Sequence, residues 1–279
     1  MKPKHLLAVL GLCLSFASAQ AETYLGGDIY VSKGNSLTYD NKDMIFTGTT
    51  VTVEEDATLN TNYLMLQTNG QSIMNKGQIA STSIAIGDDD SSSSLVNYGI
   101  IIDADDPEEE TEYGLIHITG NNGSVTNYGH IMGVSTVTLG KMIAMDGSTF
   151  GGIDIYGTGS LDVQGSITLN GDLYTMGQDS VIIFREGGCI NMDGGILSIE
   201  GQIILLVDYE VDETTAISKS SFFVNYGWSD VTKDTLVTVI GTNGETTRTL
   251  GQLAVVPEPA TATLSLLALC GLAFRRRRK

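Results

Sequence analysis

The sequence predicts an all-β fold, a parallel β-solenoid, and three observations carry this prediction. The chain of 279 residues contains 33 Gly and only 4 Pro. Short runs of Val, Ile and Thr alternate with polar residues, as at residues 50–53 and 63–66, and Gly and Asn separate these runs. Such alternation favours half-buried strands joined by tight turns. The third observation is a repeat, which is typical of folds that stack one structural unit on the next.

The repeat has the form Ser-Φ-x-Asn-x-Gly-x-Ile, in which Φ is an apolar residue. It occurs at residues 72–79, 94–101 and 124–131. Its asparagines are 22 and 30 residues apart, and they are Asn75, Asn97 and Asn127. The shorter spacing suits one solenoid coil of about twenty residues, and an insertion at residues 103–112 accounts for the longer one.

Each asparagine of the repeat is expected to stack on the asparagine of the next coil. Such an amide ladder lets every side chain donate to one neighbour and accept from the other. A glycine follows each asparagine at the second position, namely Gly77, Gly99 and Gly129. We expect these glycines to form corners of the coil with positive φ, a conformation that glycine adopts without strain.

A second periodicity sets four glycines six residues apart, at Gly159, Gly165, Gly171 and Gly177. Aliphatic residues keep the same step at Leu161, Ile167 and Leu173. Six residues correspond to one face of a triangular solenoid. Because the pattern fades after Gly177, we favour a less regular, right-handed β-helix, similar to autotransporter-like parallel β-helix repeats, over a left-handed hexapeptide helix. A β-sandwich is the alternative, since short alternating strands suit both folds.

Four segments are predicted along the chain. Residues 1–21 read as a signal peptide with a helical apolar run, and Ala19 and Ala21 form the ending that signal peptidase prefers. A lipoprotein signal at Cys13 is a weaker reading, since the bulky Leu12 precedes it. Residues 22–202 are the predicted solenoid body, residues 203–253 a C-terminal β cap, and residues 256–279 a tail with a transmembrane helix at residues 260–274.

The cap is predicted because a solenoid exposes an open apolar end. Residues 203–207 are continuously apolar, and residues 236–240 with 242–244 resemble a hairpin. Four aromatic residues also lie close together in this segment, namely Phe222, Phe223, Tyr226 and Trp228. A carbohydrate-stacking site is the functional alternative for these aromatic residues.

The body is strongly acidic. The whole chain has a formal net charge of −18, and residues 22–256 alone contain eight basic and 32 acidic residues, a net charge of −24. A surface this negative repels phosphate backbones, so nucleic-acid binding is not expected. A disulfide framework is not expected within the body, because Cys189 is the only cysteine between the two apolar ends. No histidine lies near Cys189 in the sequence to activate its thiol.

Two acidic runs are weak candidates for Ca²⁺, because carboxylates crowded this closely can supply several oxygen ligands. The residues concerned are Asp88, Asp89, Asp90, Asp103, Asp105 and Asp106. Neither run has the spacing of an EF-hand. A solvated insertion between coils is therefore the preferred interpretation, and no cofactor is predicted.

Four further carboxylates are the candidates for an enzymatic site, since catalytic acids on a β-helix commonly share one face. They are Asp154, Asp162, Asp172 and Asp193, and we expect Asp154 and Asp162 to point outward. Only Arg185 lies near them to stabilise developing charge, and no nucleophile elbow or phosphate-binding loop is present. The sequence therefore favours a protein that is not an enzyme, with a polysaccharide lyase or glycosidase as the alternative.

The C-terminal tail begins with Pro257, Glu258 and Pro259. The apolar residues 260–274 follow, and the basic end consists of Arg275, Arg276, Arg277, Arg278 and Lys279. This pattern resembles the PEP-CTERM sorting signal of Gram-negative bacteria, in a version similar to those of Verrucomicrobia. The 15 apolar residues would span about 22 Å as a helix, which is short for a permanent anchor.

The resemblance implies processing by an exosortase near Pro257, Glu258 and Pro259, after signal peptidase has acted at the N-terminus. It implies an inner-membrane-anchored precursor that is then released to the cell surface or the extracellular matrix. Retention in the inner membrane is the alternative. We therefore expect an exported structural or adhesive protein with extracellular polysaccharide as a partner, and a polysaccharide-active enzyme or a glycan-binding adhesin as the alternatives.

Overall fold

The computed structural model describes residues 23–25, 27–46, 48–88, 90–104, 114–215, 217, 222–224 and 234–253. Within them it contains 24 strands and one short 3-10 helix. The strands are β1 (Thr23–Leu25), β2 (Ile29–Val31), β3 (Ser36–Phe46), β4 (Thr50–Val53), β5 (Thr58–Leu66), β6 (Ser72–Asn75), β7 (Gln78–Ile86), β8 (Ser94–Asn97), β9 (Ile100–Asp103), β10 (Ile116–Ile118), β11 (Ser124–Asn127), β12 (His130–Val137), β13 (Lys141–Met145), β14 (Thr149–Tyr156), β15 (Ser160–Gln164), β16 (Ser166–Leu169), β17 (Leu173–Met176), β18 (Val181–Phe184), β19 (Cys189–Met192), β20 (Leu197–Ile199), β21 (Gln202–Leu206), β22 (Phe223–Val224), β23 (Leu236–Gly241) and β24 (Gly244–Thr249). The 3-10 helix is Leu250–Gln252.

The strands form a parallel β-solenoid, as predicted. Those of sheet B follow the order β2-β4-β6-β8-β11-β13-β15-β18-β21-β23-β24, and those of sheet A follow β1-β3-β5-β7-β10-β12-β14-β16-β19-β22, with β9, β17 and β20 beside this path. Every pairing between described strands is parallel except that of β23 with β24. Seven described coils, from β4 to β20, contribute strands to both sheets. Uniform parallel pairing excludes the β-sandwich, which is built from antiparallel strands.

Each coil has three sides. In β5 the inward and outward side chains alternate until Asn62 and Tyr63, where two half-exposed residues follow one another and the alternation restarts. Sheet A therefore bends along a corner into two faces, and sheet B forms the third side. The six-residue spacing has the same origin, because Leu161, Ile167 and Leu173 are fully or almost fully buried on β15, β16 and β17, the three sides of one coil.

The insertion lies at the same corner of sheet A. Strands β9 and β10 both pair with β7 and with β12. The chain therefore leaves the coil after Asp103 and returns to it by Ile116, as the longer spacing of the asparagines predicts. Residues 105–113 lie outside the described part of the chain.

Every second residue of a strand points inward, and these side chains together fill the interior. Phe46, Phe150 and Phe184 are among the largest of these fully buried side chains. Phe222 and Phe223 join them, with ring centroids 5.2 and 5.5 Å from that of Phe184 in edge-on geometry. The proposal of a carbohydrate-stacking site is therefore wrong for these two residues, because their faces are in the core. Tyr226 and Trp228 lie outside the described residues.

Sheet B continues into the predicted cap segment. Strand β21 pairs with β18, and β23 pairs with β21, both in parallel. Strand β24 then turns back onto β23, with Gly241 opposite Gly244, which is the hairpin that the sequence predicts. The boundaries of the four predicted segments, and the right-handed coil, stay predictions. Among the described residues, no helix is long and apolar enough to cross a membrane, and the predicted helix at residues 260–274 lies outside them.

Candidate functional site

The predicted amide ladder is present on the inner side of sheet B. Asn75 Nδ2 donates to Asn97 Oδ1 at 2.7 Å, and Asn97 Nδ2 donates to Asn127 Oδ1 at 2.8 Å. All three asparagines are fully buried. The ladder has three members because Val53 and Ala144 take the equivalent positions in the strands on either side. It fixes the register of β6, β8 and β11 with side-chain hydrogen bonds.

The glycines of the repeat serve a purpose that differs from the predicted one. Gly77, Gly99 and Gly129 do not have positive φ, so the predicted left-handed corner is wrong. A Cβ atom on Gly99 would lie less than 3.0 Å from the carbonyl oxygen of Gly77, and one on Gly129 would be as close to the carbonyl oxygen of Gly99. Glycine is required here because the backbones of successive coils approach closely.

Tyr98 and Tyr128 stand next to the ladder on the outer surface. Their rings are stacked, with centroids 4.7 Å apart and an interplanar angle of 10°. The side chains remain about half exposed. Because each ring covers one face of the other, the pair is better suited to holding two coils together than to stacking on a separate ring.

A groove on the second face of sheet A is a candidate site among the described residues. Its volume is about 660 Å³, which falls in the range of small-ligand sites, roughly 300–1,000 Å³. The residues that line it are Asp103, Gly114, Leu115, His117, Thr119, Gly133, Val134, Thr136, Thr138, Asp154 and Tyr156. It lies beside the corner at which the insertion leaves the coil.

The register of sheet A aligns the polar residues of this groove. His117 on β10 is opposite Thr136 on β12, and Thr136 is opposite Asp154 on β14. Asp154 in turn is opposite Tyr174 on β17. Each of these residues alternates with buried neighbours and therefore faces outward. The result is one column of polar side chains across four coils.

Burial shifts the pKa of two groove residues. Burial, together with the charge of nearby Asp172, raises the pKa of Asp154. Burial lowers the pKa of His117, which keeps the imidazole neutral at pH 7. Asp172 itself accepts a hydrogen bond from Tyr174 Oη at 3.1 Å and another from the backbone N–H of Ile196 at 2.6 Å. The residues that line the groove thus include two carboxyl groups and a neutral imidazole, and none of them is Lys or Arg.

Asp162 has a different role from the one considered in the sequence. It points outward from β15 as expected, yet its side chain has no exposed surface because two basic side chains cover it. Arg185 donates from Nε and Nη2 to the two carboxylate oxygens, at 2.8 Å each, and Lys141 Nζ lies 2.9 Å from Oδ2. A carboxylate enclosed in this way is not available to a substrate.

The four candidate catalytic carboxylates thus do not share one site. Asp162 is on sheet B, whereas Asp154 is on sheet A. Asp172 and Asp193 adjoin sheet A strands, and Asp193 is an exposed residue that does not line the groove. Only Asp154 and Asp172 influence each other electrostatically. The sequence analysis missed His117 and Thr136. His117 lies two coils from Asp154 and Thr136 lies one coil from it, a relation that can be recognised only once the register is known.

The calcium candidates are scattered in the structure. Asp88 and Asp90 are exposed turn residues, and Asp90 Oδ1 accepts a hydrogen bond from Asn121 at 3.3 Å. Asp103 lines the groove, while Asp89, Asp105 and Asp106 lie outside the described residues. Over the described ranges, no group of three or more His, Cys, Asp or Glu side chains is placed to hold a metal ion. Cys189 is a free, half-buried residue at the start of β19.

The C-terminal segment supplies the match to a known family. A family model for the PEP-CTERM protein-sorting motif matches residues 255–279. The chain carries a PEP-CTERM sorting motif. The matched segment contains the predicted Pro257, Glu258 and Pro259 and the predicted basic end, residues 275–279. These residues, like Ala19 and Ala21 of the predicted signal peptide, lie outside the described part of the structure.

The PEP-CTERM motif is the signal that an exosortase recognises, so the chain is an exported protein that is transiently anchored in the membrane and processed by that enzyme. No curated protein and no solved structure matches the chain. The motif therefore indicates the export route of the protein, whereas any activity lies in the solenoid body.

Proposed function

We propose that the body is a non-enzymatic structural and adhesive element of the cell surface or the extracellular polysaccharide matrix. The observation that carries this proposal is the combination of the PEP-CTERM motif with a solenoid whose outward residues repeat in register. On sheet B, for example, Thr50, Ser72, Ser94 and Ser124 form one column, each directly opposite the next. Neighbouring members of the column are about 4.8 Å apart.

Such a regular surface suits an extended polymer better than a compact substrate. A polymer that lies along the coils meets the same hydroxyl group at every step, so many weak contacts combine into firm attachment. The carboxylates, in contrast, do not converge on one point, which argues against the alternative of a hydrolase or lyase. A glycan-binding adhesin is the other alternative, and it also acts by attachment.

The experiment separates attachment from catalysis by time dependence. The full-length chain, purified in detergent, is incubated with matrix polysaccharide from the native bacterium and sedimented. A structural protein is retained in the pellet in proportion to the amount added, and soluble sugar does not accumulate. Reducing ends that increase with time would show an enzyme instead and refute the proposal.

The route is tested in the producing cell. Replacing Pro257, Glu258 and Pro259 together with Ala should keep the protein in the membrane fraction with its basic end attached. The matched control replaces Ser265 with Ala in the apolar run and should be released normally. Mass spectrometry of the released native protein should show no peptide from residues 275–279; a released form that keeps them would contradict processing by an exosortase.

A further inference from the structure

The groove on sheet A is lined by carboxyl groups and by no Lys or Arg, in keeping with the acidic body as a whole. Among strands β5 to β22 of sheet A, all of them described, none contains Lys or Arg. Two carboxylates, Asp103 and Asp154, face the groove, and the one ionisable base, His117, is neutral at pH 7 because it is partly buried. An anionic ligand would therefore meet these carboxyl groups and no Lys or Arg among the described residues that line the groove.

Asp154 is the central member of this arrangement. It is partly buried in the middle of the polar column, between Thr136 and Tyr174, and Asp172 adds a second negative charge nearby. Both burial and the neighbouring charge disfavour the ionised carboxylate. An ionised carboxylate in this position lowers the stability of the fold at neutral pH unless a cation stabilises it.

The lining of the groove combines small residues, one aromatic residue and three threonines. Gly133 contributes no side chain on one side, and a Cβ there would lie less than 3.0 Å from Leu115. Gly151, on the next coil, is equally close to the backbone of Gly133. Tyr156 also lines the groove, as do Thr119, Thr136 and Thr138. The hydroxyl of Thr119 already donates to the carbonyl oxygen of Gly87 at 2.7 Å, so towards a ligand it can act as an acceptor.

We propose that this groove binds an amino-sugar residue of an extracellular polysaccharide, with the protonated amine against Asp154. The sugar hydroxyls would pair with the threonines, and its apolar face would lie against the ring of Tyr156. This inference rests on the proposed matrix function and names the class of polymer that the adhesive body recognises. Neutral sugars lack the charge that Asp154 would neutralise, and uronates carry the wrong one.

The test is calorimetric titration of the full-length chain with three soluble oligosaccharides. They are a fully deacetylated oligomer of β-1,4-linked glucosamine, its N-acetylated counterpart, which has the same backbone without charge, and an oligomer of a uronic acid. We expect the deacetylated oligomer to bind about tenfold more tightly than the acetylated one, because the acetylated oligomer cannot form the charge-assisted hydrogen bond to Asp154. The uronate oligomer should not bind.

Two variants show whether the attraction is local. Asp154→Asn should weaken binding of the deacetylated oligomer about tenfold, while Asp193→Asn, which removes an exposed carboxylate of the same sheet outside the groove, should leave it unchanged. Equal losses in both variants would mean attraction to the acidic body as a whole and would overturn the inference. So would equal affinity for the acetylated and deacetylated oligomers.

The pH dependence provides a readout that binding alone does not. The raised pKa means that the ionised form of Asp154 destabilises the fold, and this cost appears as the pH rises through the folded pKa, which lies above the ordinary value of 3.8. Asp154→Asn should therefore be at least as stable as the native chain at pH 7.

If the oligosaccharides do not bind but the protein still sediments with native matrix, the groove inference fails and the matrix function stands.

Discussion

Removing the middle rung of the asparagine ladder should cost about twice as much stability as removing an end rung. Asn97 accepts a hydrogen bond from Asn75 and donates one to Asn127, and its Nδ2 also lies 3.2 Å from the carbonyl oxygens of Gly99 and His130. Asn75 makes only one ladder bond, and its Oδ1 has no hydrogen-bond partner among the described residues.

The magnitude follows from counting these bonds. A buried hydrogen bond contributes about 1 kcal/mol net, and a partner left unsatisfied adds to the loss. In Asn97→Ala both ladder bonds disappear, although Asn75 Nδ2 keeps the carbonyl of Ile100 at 3.1 Å and Asn127 Oδ1 keeps the N–H of Gly129 at 3.1 Å. We expect a loss of roughly 2–3 kcal/mol for Asn97→Ala and about 1–1.5 kcal/mol for Asn75→Ala.

The assay is urea unfolding followed by far-ultraviolet circular dichroism on the purified full-length chain. Thr126→Ala is the matched control, since this residue is a half-exposed neighbour of Asn127 on the outer side of the same strand and takes no part in the ladder. It should change the free energy of unfolding by less than about 0.5 kcal/mol. A loss for Asn97→Ala that is no larger than that for Asn75→Ala would refute the additive ladder.

Two further substitutions test how the coils are held together. Gly99→Ala should destabilise the fold by about 1–3 kcal/mol because its Cβ meets the carbonyl of Gly77, whereas Gly152→Ala, whose Cβ would have ordinary contacts from 3.4 Å, should not; equal melting temperatures would contradict the close approach. Asp162→Asn should cost about 1–2 kcal/mol at pH 7, less than a fully buried pair because the two basic partners are half exposed. Burial raises the pKa of Asp162, but hydrogen bonds from its basic partners outweigh this and hold the pKa below 3.8. The stability that the ionised carboxylate provides is therefore present above pH 3.8 and lost as the pH falls through the lower folded pKa. A difference in stability between variant and native chain that does not shrink as the pH is lowered would argue against the ion pair.

Some features of the fold could be predicted because they recur at short range. Many strands are visible as local alternations, and the repeat of Asn75, Asn97 and Asn127 reveals the length of a coil. Once coil length is known, stacking of identical amides follows from their hydrogen-bonding groups. The corner glycines misled the prediction, since a glycine in the sequence signals either positive φ or close approach, and only the neighbouring coil distinguishes the two.

The groove could not be predicted for a related reason. His117, Thr136 and Asp154 come from three coils, and nothing local to any of them indicates that they share a column. The same limit applies to Asp162, whose outward position is visible in the strand pattern, while the two basic side chains that cover it come from β13 and from the turn after β18.

The sequence by itself determined that this protein is all-β, built of parallel coils, acidic, and marked for export by its C-terminal motif, because each of these properties is recorded in neighbouring residues or in a single repeat. The tertiary structure decided which carboxylates are enclosed, which face a groove and which are merely exposed. The physical reason is that every outward column takes one residue from each coil, so its chemistry depends on a register that forms only when the coils pack.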